Sequence, residues 1–106
     1  MKHPRLPRYE VNLPVAFSGN ETAGAGVVTS LSKEGCAVAS EETVLPHTFL
    51  ALHLQLPEQY VPLKVEVAEV RWISGMGFGL EFIQLRTEEQ ERLQRYIKFL
   101  ETSQNN

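Results

Sequence analysis

Two short runs carry residue types suited to binding chemistry: Arg5-Leu6-Pro7-Arg8 near the start of the chain, and Ser30-Leu31-Ser32-Lys33-Glu34-Gly35 further on. Arginine presents a planar fork of N–H donors that matches a phosphate, or the O6/N7 edge of guanine, in a bidentate way. Pro4 and Pro7 stiffen the first run, which lowers the ordering cost of binding. Ser30 and Ser32 offer hydroxyls, and Gly35 lets a ligand approach the main chain. Arg5, Arg8, Ser30, Ser32 and Gly35 are therefore the candidate ligand contacts. The same residues also fit an exposed basic tail and an ordinary turn.

Catalytic or metal chemistry finds less support. His3, His47 and His53 lack metal-ligand spacing, and Cys36 has no partner histidine nearby in sequence. His53 alternates with leucines and reads as a solvated strand residue, while Cys36 reads as a small core filler. Gly75-x-Gly77-x-Gly79 joins two strands, so a hairpin turn fits better than a phosphate loop. The chain has no aspartate, and all thirteen acids are glutamates. Carboxylate dyads and oxygen-ligand metal loops are harder to build from such a set. The expectation is a binding module rather than an enzyme, with no cofactor and no metal.

Charge narrows the ligand. Net charge is −3, yet residues 1–8 hold three of the ten basic side chains and no acid. The remainder carries seven basic against thirteen acidic residues, or −6. Wholesale binding to DNA, RNA or an anionic membrane is not expected, whereas a local anion site at the N-terminus is. No apolar run approaches the ~20 residues needed to span a membrane. A single cysteine fits a reducing, cytoplasmic setting.

The elements that must position these residues follow from hydrophobic period. At 106 residues the chain forms one domain. Val11, Leu13, Val15 and Phe17 alternate with polar or small residues, as do Leu50, Leu52, Leu54 and Leu56. Pro14 lacks an N–H, so the first strand should have an edge or a bulge there. Val27-Val28 and Cys36-Ala37-Val38 predict short strands with Ser30 to Gly35 between them as a turn. Val61, Leu63, Val65 and Val67 alternate, and then the apolar positions shift to Val70 and Trp72. Such a flip predicts a β-bulge near Ala68-Glu69. Phe78, Leu80 and Phe82 make a last strand. Thr87-Glu88-Glu89-Gln90 reads as a capping box, and Leu93, Tyr96, Ile97 and Leu100 predict a helix over 88–101. The pattern predicts residues 1–8 as a flexible basic segment, 9–101 as a small antiparallel barrel with a terminal helix, and 102–106 as a polar tail.

Taken in order, Arg5-Leu6-Pro7-Arg8, Leu13-Pro14-Val15, Ser30-x-Ser32-x-x-Gly35, Val70-Arg71-Trp72 and Gly77-Phe78-Gly79-Leu80-Glu81-Phe82 before a helix resemble a PilZ domain. The resemblance covers about 4–100. It implies a mostly β fold, a six-stranded antiparallel barrel with one C-terminal helix. It also implies a bacterial cytoplasmic receptor for cyclic di-GMP. The family's pattern is Arg-x-x-x-Arg before the first strand and Asp/Asn-x-Ser-x-x-Gly on the barrel. Arg8 matches the second arginine, and Ser32 and Gly35 match the second motif. Pro4 stands at the first arginine, with Arg5 one residue off, and Ser30 stands where Asp or Asn is usual. Losing one charged hydrogen bond, worth roughly 1.5–3 kcal/mol, at each of two sites weakens affinity by about two to four powers of ten. The alternative is a degenerate member that binds no nucleotide and serves as a protein-interaction module in motility or pilus control.

Overall fold

The computed structural model describes residues 7–104. Six strands run in order: β1 (Tyr9–Ser18), β2 (Ala23–Leu31), β3 (Gly35–Ala39), β4 (Phe49–Leu54), β5 (Leu63–Ser74) and β6 (Gly77–Gln84). One helix, α1 (Thr87–Gln104), follows. The strands close into an antiparallel barrel in the order β1-β2-β3-β6-β5-β4. Closure gives every strand two neighbours and removes the exposed edges that invite aggregation. This is the six-stranded barrel with one C-terminal helix that the sequence predicts.

Alternation builds the core. Leu13, Val15 and Phe17 of β1 point inward, as do Leu50, Leu52 and Leu54 of β4. The Phe17 and Phe78 rings meet edge to face, with centroids 5.4 Å apart, which favours the pair beyond area burial alone. Leu93, Ile97 and Leu100 are buried at helical spacing, and α1 packs on β5 and β1. Arg92 pins the helix to the β4–β5 connection. Its guanidinium donates to the Val61 carbonyl at 2.6 Å and to Gln59 Oε1 at 2.6 Å. Glu89 beside it accepts the Lys64 N–H at 2.6 Å.

Several local expectations shift. β1 is flanked by β2 and β4, so Pro14 does not sit on an edge strand. Its pairing with β4 begins only at Val15, and the Pro14 carbonyl accepts the Gln55 N–H at 2.9 Å. In a strand the N and O of one residue point to the same side. The missing N–H of Pro14 therefore falls where the β1–β4 ladder stops. A bulge also precedes it, between Glu10 and Leu13. The β5 bulge lies slightly earlier than expected: Leu50 pairs Ala68 while Leu52 pairs Val65, which leaves the extra residue at Glu66-Val67. The helix starts a residue sooner and ends three residues later than the sequence suggests. The Gln90 N–H bonds the Arg86 carbonyl at 2.9 Å, so it does not serve a Thr87 capping box. The continuation to Gln104 includes a Thr102 hydroxyl bond to the Lys98 carbonyl at 3.1 Å.

Cys36 sits in the core with no exposed surface, as a small filler should. Burial pushes its thiol up to about 12, against a smaller downward pull from the Arg8 guanidinium. The thiolate is the nucleophile, so a disulfide reagent at pH 8 is expected to label Cys36 only when the chain opens. Labelling at the free-thiol rate without denaturant would contradict this placement. The raised value favours the fold below the ordinary thiol pKa of 9.0, and this contribution fades as pH climbs from there toward about 12.

Candidate functional site

The site begins with the β2–β3 connection, which is tighter than its sequence suggests. Ser30 and Leu31 belong to β2, and only Ser32, Lys33 and Glu34 bridge to β3. Leu31 is wholly buried. Ser32, nearly buried too, closes the turn: its N–H bonds the Gly35 carbonyl at 2.9 Å, and its hydroxyl accepts the Glu34 N–H at 3.2 Å. A longer contact of 3.4 Å runs from that hydroxyl to the Gly35 carbonyl. Such bonds are why serine competes with regular structure at turns. The Ser32 hydroxyl is thus engaged by local backbone. Gly35 meets a different constraint: a Cβ there would lie 2.1 Å from the Leu80 carbonyl oxygen of β6. Its small size serves close strand packing. The Glu34 carbonyl also accepts the Phe82 N–H at 2.7 Å, which ties the turn to β6.

Arg8 and Ser30 come together. Tyr9, buried just after Arg8, opens β1 and pairs with Leu31, while Glu10 pairs with Ser30. This register carries the exposed Arg8 side chain across to β2, where its Nε–H donates to the Ser30 hydroxyl at 3.0 Å. Arg5 lies outside the described residues, as does Pro4. The five candidates therefore divide into an Arg8–Ser30 pair on the outer wall, a Ser32–Gly35 turn beside it, and Arg5.

The barrel register extends the pair into a surface that motif spacing does not reveal. Ser30 pairs with Ala37 on β3, Ala37 pairs with Gly79 on β6, and Gly79 pairs with Trp72 on β5. Each faces outward, since Leu31, Cys36, Val38, Phe78 and Leu80 beside them point in. Ser30 and Ala37 form the floor of a shallow trough on the barrel wall, and the Trp72 indole covers Gly79 at its far end. Arg8 stands at one end and Trp72 at the other. At ~4.8 Å per strand the row from Ser30 to Trp72 spans about 14 Å. Trp72 lies flat on Gly79: a Cβ on that glycine would sit 2.1 Å from the indole Nε1.

Trp72 is 48% exposed, not on the Val70 core face as its spacing suggests. Val70 pairs Leu80 and Trp72 pairs Gly79, so β5 spends two residues where β6 spends one. This second bulge turns the indole outward. Arg71 at the bulge bonds Glu81 at 2.6 Å. The only hint in the sequence is a tryptophan followed, past a two-residue turn, by a glycine-flanked strand, and that hint is silent without the register.

A family model for the PilZ domain matches residues 1–99. Among solved structures the chain is similar to the Bacillus subtilis inhibitor of motility (MotI/DgrA), with a TM-score of 0.80 and 21% identity over 100% of this chain. It spans only 55% of that protein. It is also similar to the PilZ domain of CeSA from a cellulose-synthesizing bacterium, with a TM-score of 0.72 and 17% identity over 90% of this chain and 98% of the other. Among curated proteins none matches. The barrel with its terminal helix and the family match over nearly the whole length agree: the chain belongs to the PilZ domain family.

Proposed function

We propose that this domain is a cytoplasmic receptor for cyclic di-GMP, a ligand with two guanine bases and two phosphodiesters. The observation that supports it most is the outer-wall trough with Arg8 held on Ser30 at one end and Trp72 at the other. A guanidinium fork suits a phosphate or a guanine edge. A half-exposed indole suits a purine face. Ser30 and Ala37 between them are small enough to let a flat ligand approach the wall. Arg5 adds a second cation from the segment before Pro7. The buried free thiol of Cys36 is compatible with a reducing compartment.

Trp72 is the sole tryptophan, so its fluorescence reports on the trough alone. Titration with cyclic di-GMP at low salt is expected to give a saturable change in emission together with heat in calorimetry. A folded sample that shows neither at high protein concentration would count decisively against the reading.

A protein-interaction role is the second reading. It is favoured by Ile73 and Met76, which are 44% and 67% exposed on the β5–β6 hairpin. One structural neighbour is an inhibitor of motility, and a partner in motility or pilus control would suit a member that no longer takes nucleotide. A folded protein blind to cyclic di-GMP, whose capture of a partner fails in Met76→Glu, would favour this reading over the first.

A further inference from the structure

We infer that Ser30 is a positioning residue for Arg8, and that it selects which fork of the guanidinium faces the ligand. This rests on the reading of the trough given above. Arginine offers two donor pairs: Nε with one terminal amine, or the two terminal amines together. The Nε–H of Arg8 is given to the Ser30 hydroxyl at 3.0 Å. That bond occupies the side-on pair and leaves the end-on pair for a phosphate or a guanine edge.

The identity of residue 30 matters in two ways. A long, exposed arginine samples many rotamers, and one tether near the guanidinium removes much of that freedom before the ligand arrives. Serine supplies one neutral acceptor. A carboxylate at this position would take Nε and a terminal amine together and would neutralise part of the cation. Ser30 therefore orients Arg8 without drawing off its charge. The register supports this role. Glu10 and Ser30 face each other across β1 and β2, so Arg8, two residues before Glu10 on the same strand side, reaches Ser30 without distortion. Two bulges adjoin this pairing on its Leu13/Val28 side, at Glu10/Leu13 in β1 and Val28/Ser30 in β2, while Tyr9 and Leu31 pair regularly on the other.

Two measurements test the inference. In the free protein, the Arg8 Nε–H resonance, assigned by its disappearance in Arg8→Lys, is expected to exchange more slowly with water than those of untethered arginines. Ser30→Ala should abolish that difference and Ser30→Thr should keep it. In titrations with cyclic di-GMP, Ser30→Ala is expected to weaken binding about fivefold, with Ser30→Thr restoring most of it. Once Arg8 is alanine, adding Ser30→Ala should cost nothing further, because Ser30 acts through Arg8. An unchanged Nε–H exchange rate in Ser30→Ala would overturn the inference, and so would additive losses in the double variant. If the wild-type protein binds no nucleotide but its Nε–H signal depends on residue 30 as described, the positioning stands and the nucleotide reading falls.

Discussion

Gly35→Ala is expected to destabilise the barrel by about 3 kcal/mol, at the upper end of what overpacking a core usually costs. The added methyl would lie 2.1 Å from the Leu80 carbonyl oxygen and 3.3 Å from the Glu81 Cα. The obstacle is backbone, so no side chain can rotate away. Nor can the strands part easily. Gly35 and Cys36 pair with Glu81 and Leu80, and the Glu34 carbonyl holds the Phe82 N–H at 2.7 Å. Relief requires loosening the β3–β6 ladder. For a domain of this size the melting temperature should fall by about 10–20 °C. Thermal and urea unfolding check this, and a loss under about 0.5 kcal/mol would show that the strands separate freely. The result bears on function. A binding defect in Gly35→Ala reports a deformed wall, so it is no measure of direct ligand contact.

The fold was legible because alternation and its interruptions are local. Leu50 to Leu56 and Leu13 to Phe17 announce strands whose inward faces the structure confirms. Leu93, Ile97 and Leu100 announce the helix. The apolar flip after Val67 predicts a bulge near Ala68-Glu69, and the bulge lies about two residues earlier, at Glu66-Val67. What escaped depends on contacts between distant segments. Trp72 looked like a core residue because its spacing from Val70 is two, and only the extra residue at Arg71 turns it out. Ser30 and Leu31 looked like turn residues because hydroxyls and glycine cluster there. Burial of Leu31 against the core draws both into β2. The Thr87-x-x-Gln90 pattern has capping chemistry, yet the chain offers the Arg86 carbonyl first and the helix begins there. Within the candidate site, the types of Arg8 and Ser30 were readable as chemistry. Their contact was not, because it is set by the β1–β2 register across 22 residues. Ser32 and Gly35 fit a binding motif in sequence, while their observed contacts are those of a tight turn packed on β6.

Arg8→Ala is expected to weaken cyclic di-GMP binding by roughly a hundredfold while leaving the fold nearly intact. A bidentate contact to a phosphate or guanine edge comprises two charge-assisted hydrogen bonds, and a loss of about 3 kcal/mol corresponds to that factor. Little opposes the estimate on the protein side. Arg8 is exposed, and its described hydrogen bond goes to the Ser30 hydroxyl, a part-exposed group that water can satisfy instead. Stability should therefore change by less than about 1 kcal/mol. This separates Arg8 from Gly35, where stability falls first. Charge and geometry can be told apart as well. Arg8→Lys keeps the cation but loses the planar fork, so it should recover only part of the affinity. Raising ionic strength should weaken the wild-type complex more than that of Arg8→Ala, because the removed charge no longer contributes to the salt dependence. Calorimetric titration at two salt concentrations, with melting curves on the same samples, measures all of these quantities. Equal affinity in wild type and Arg8→Ala would move the ligand off this end of the trough, and Trp72 would then mark a site with a different anchor.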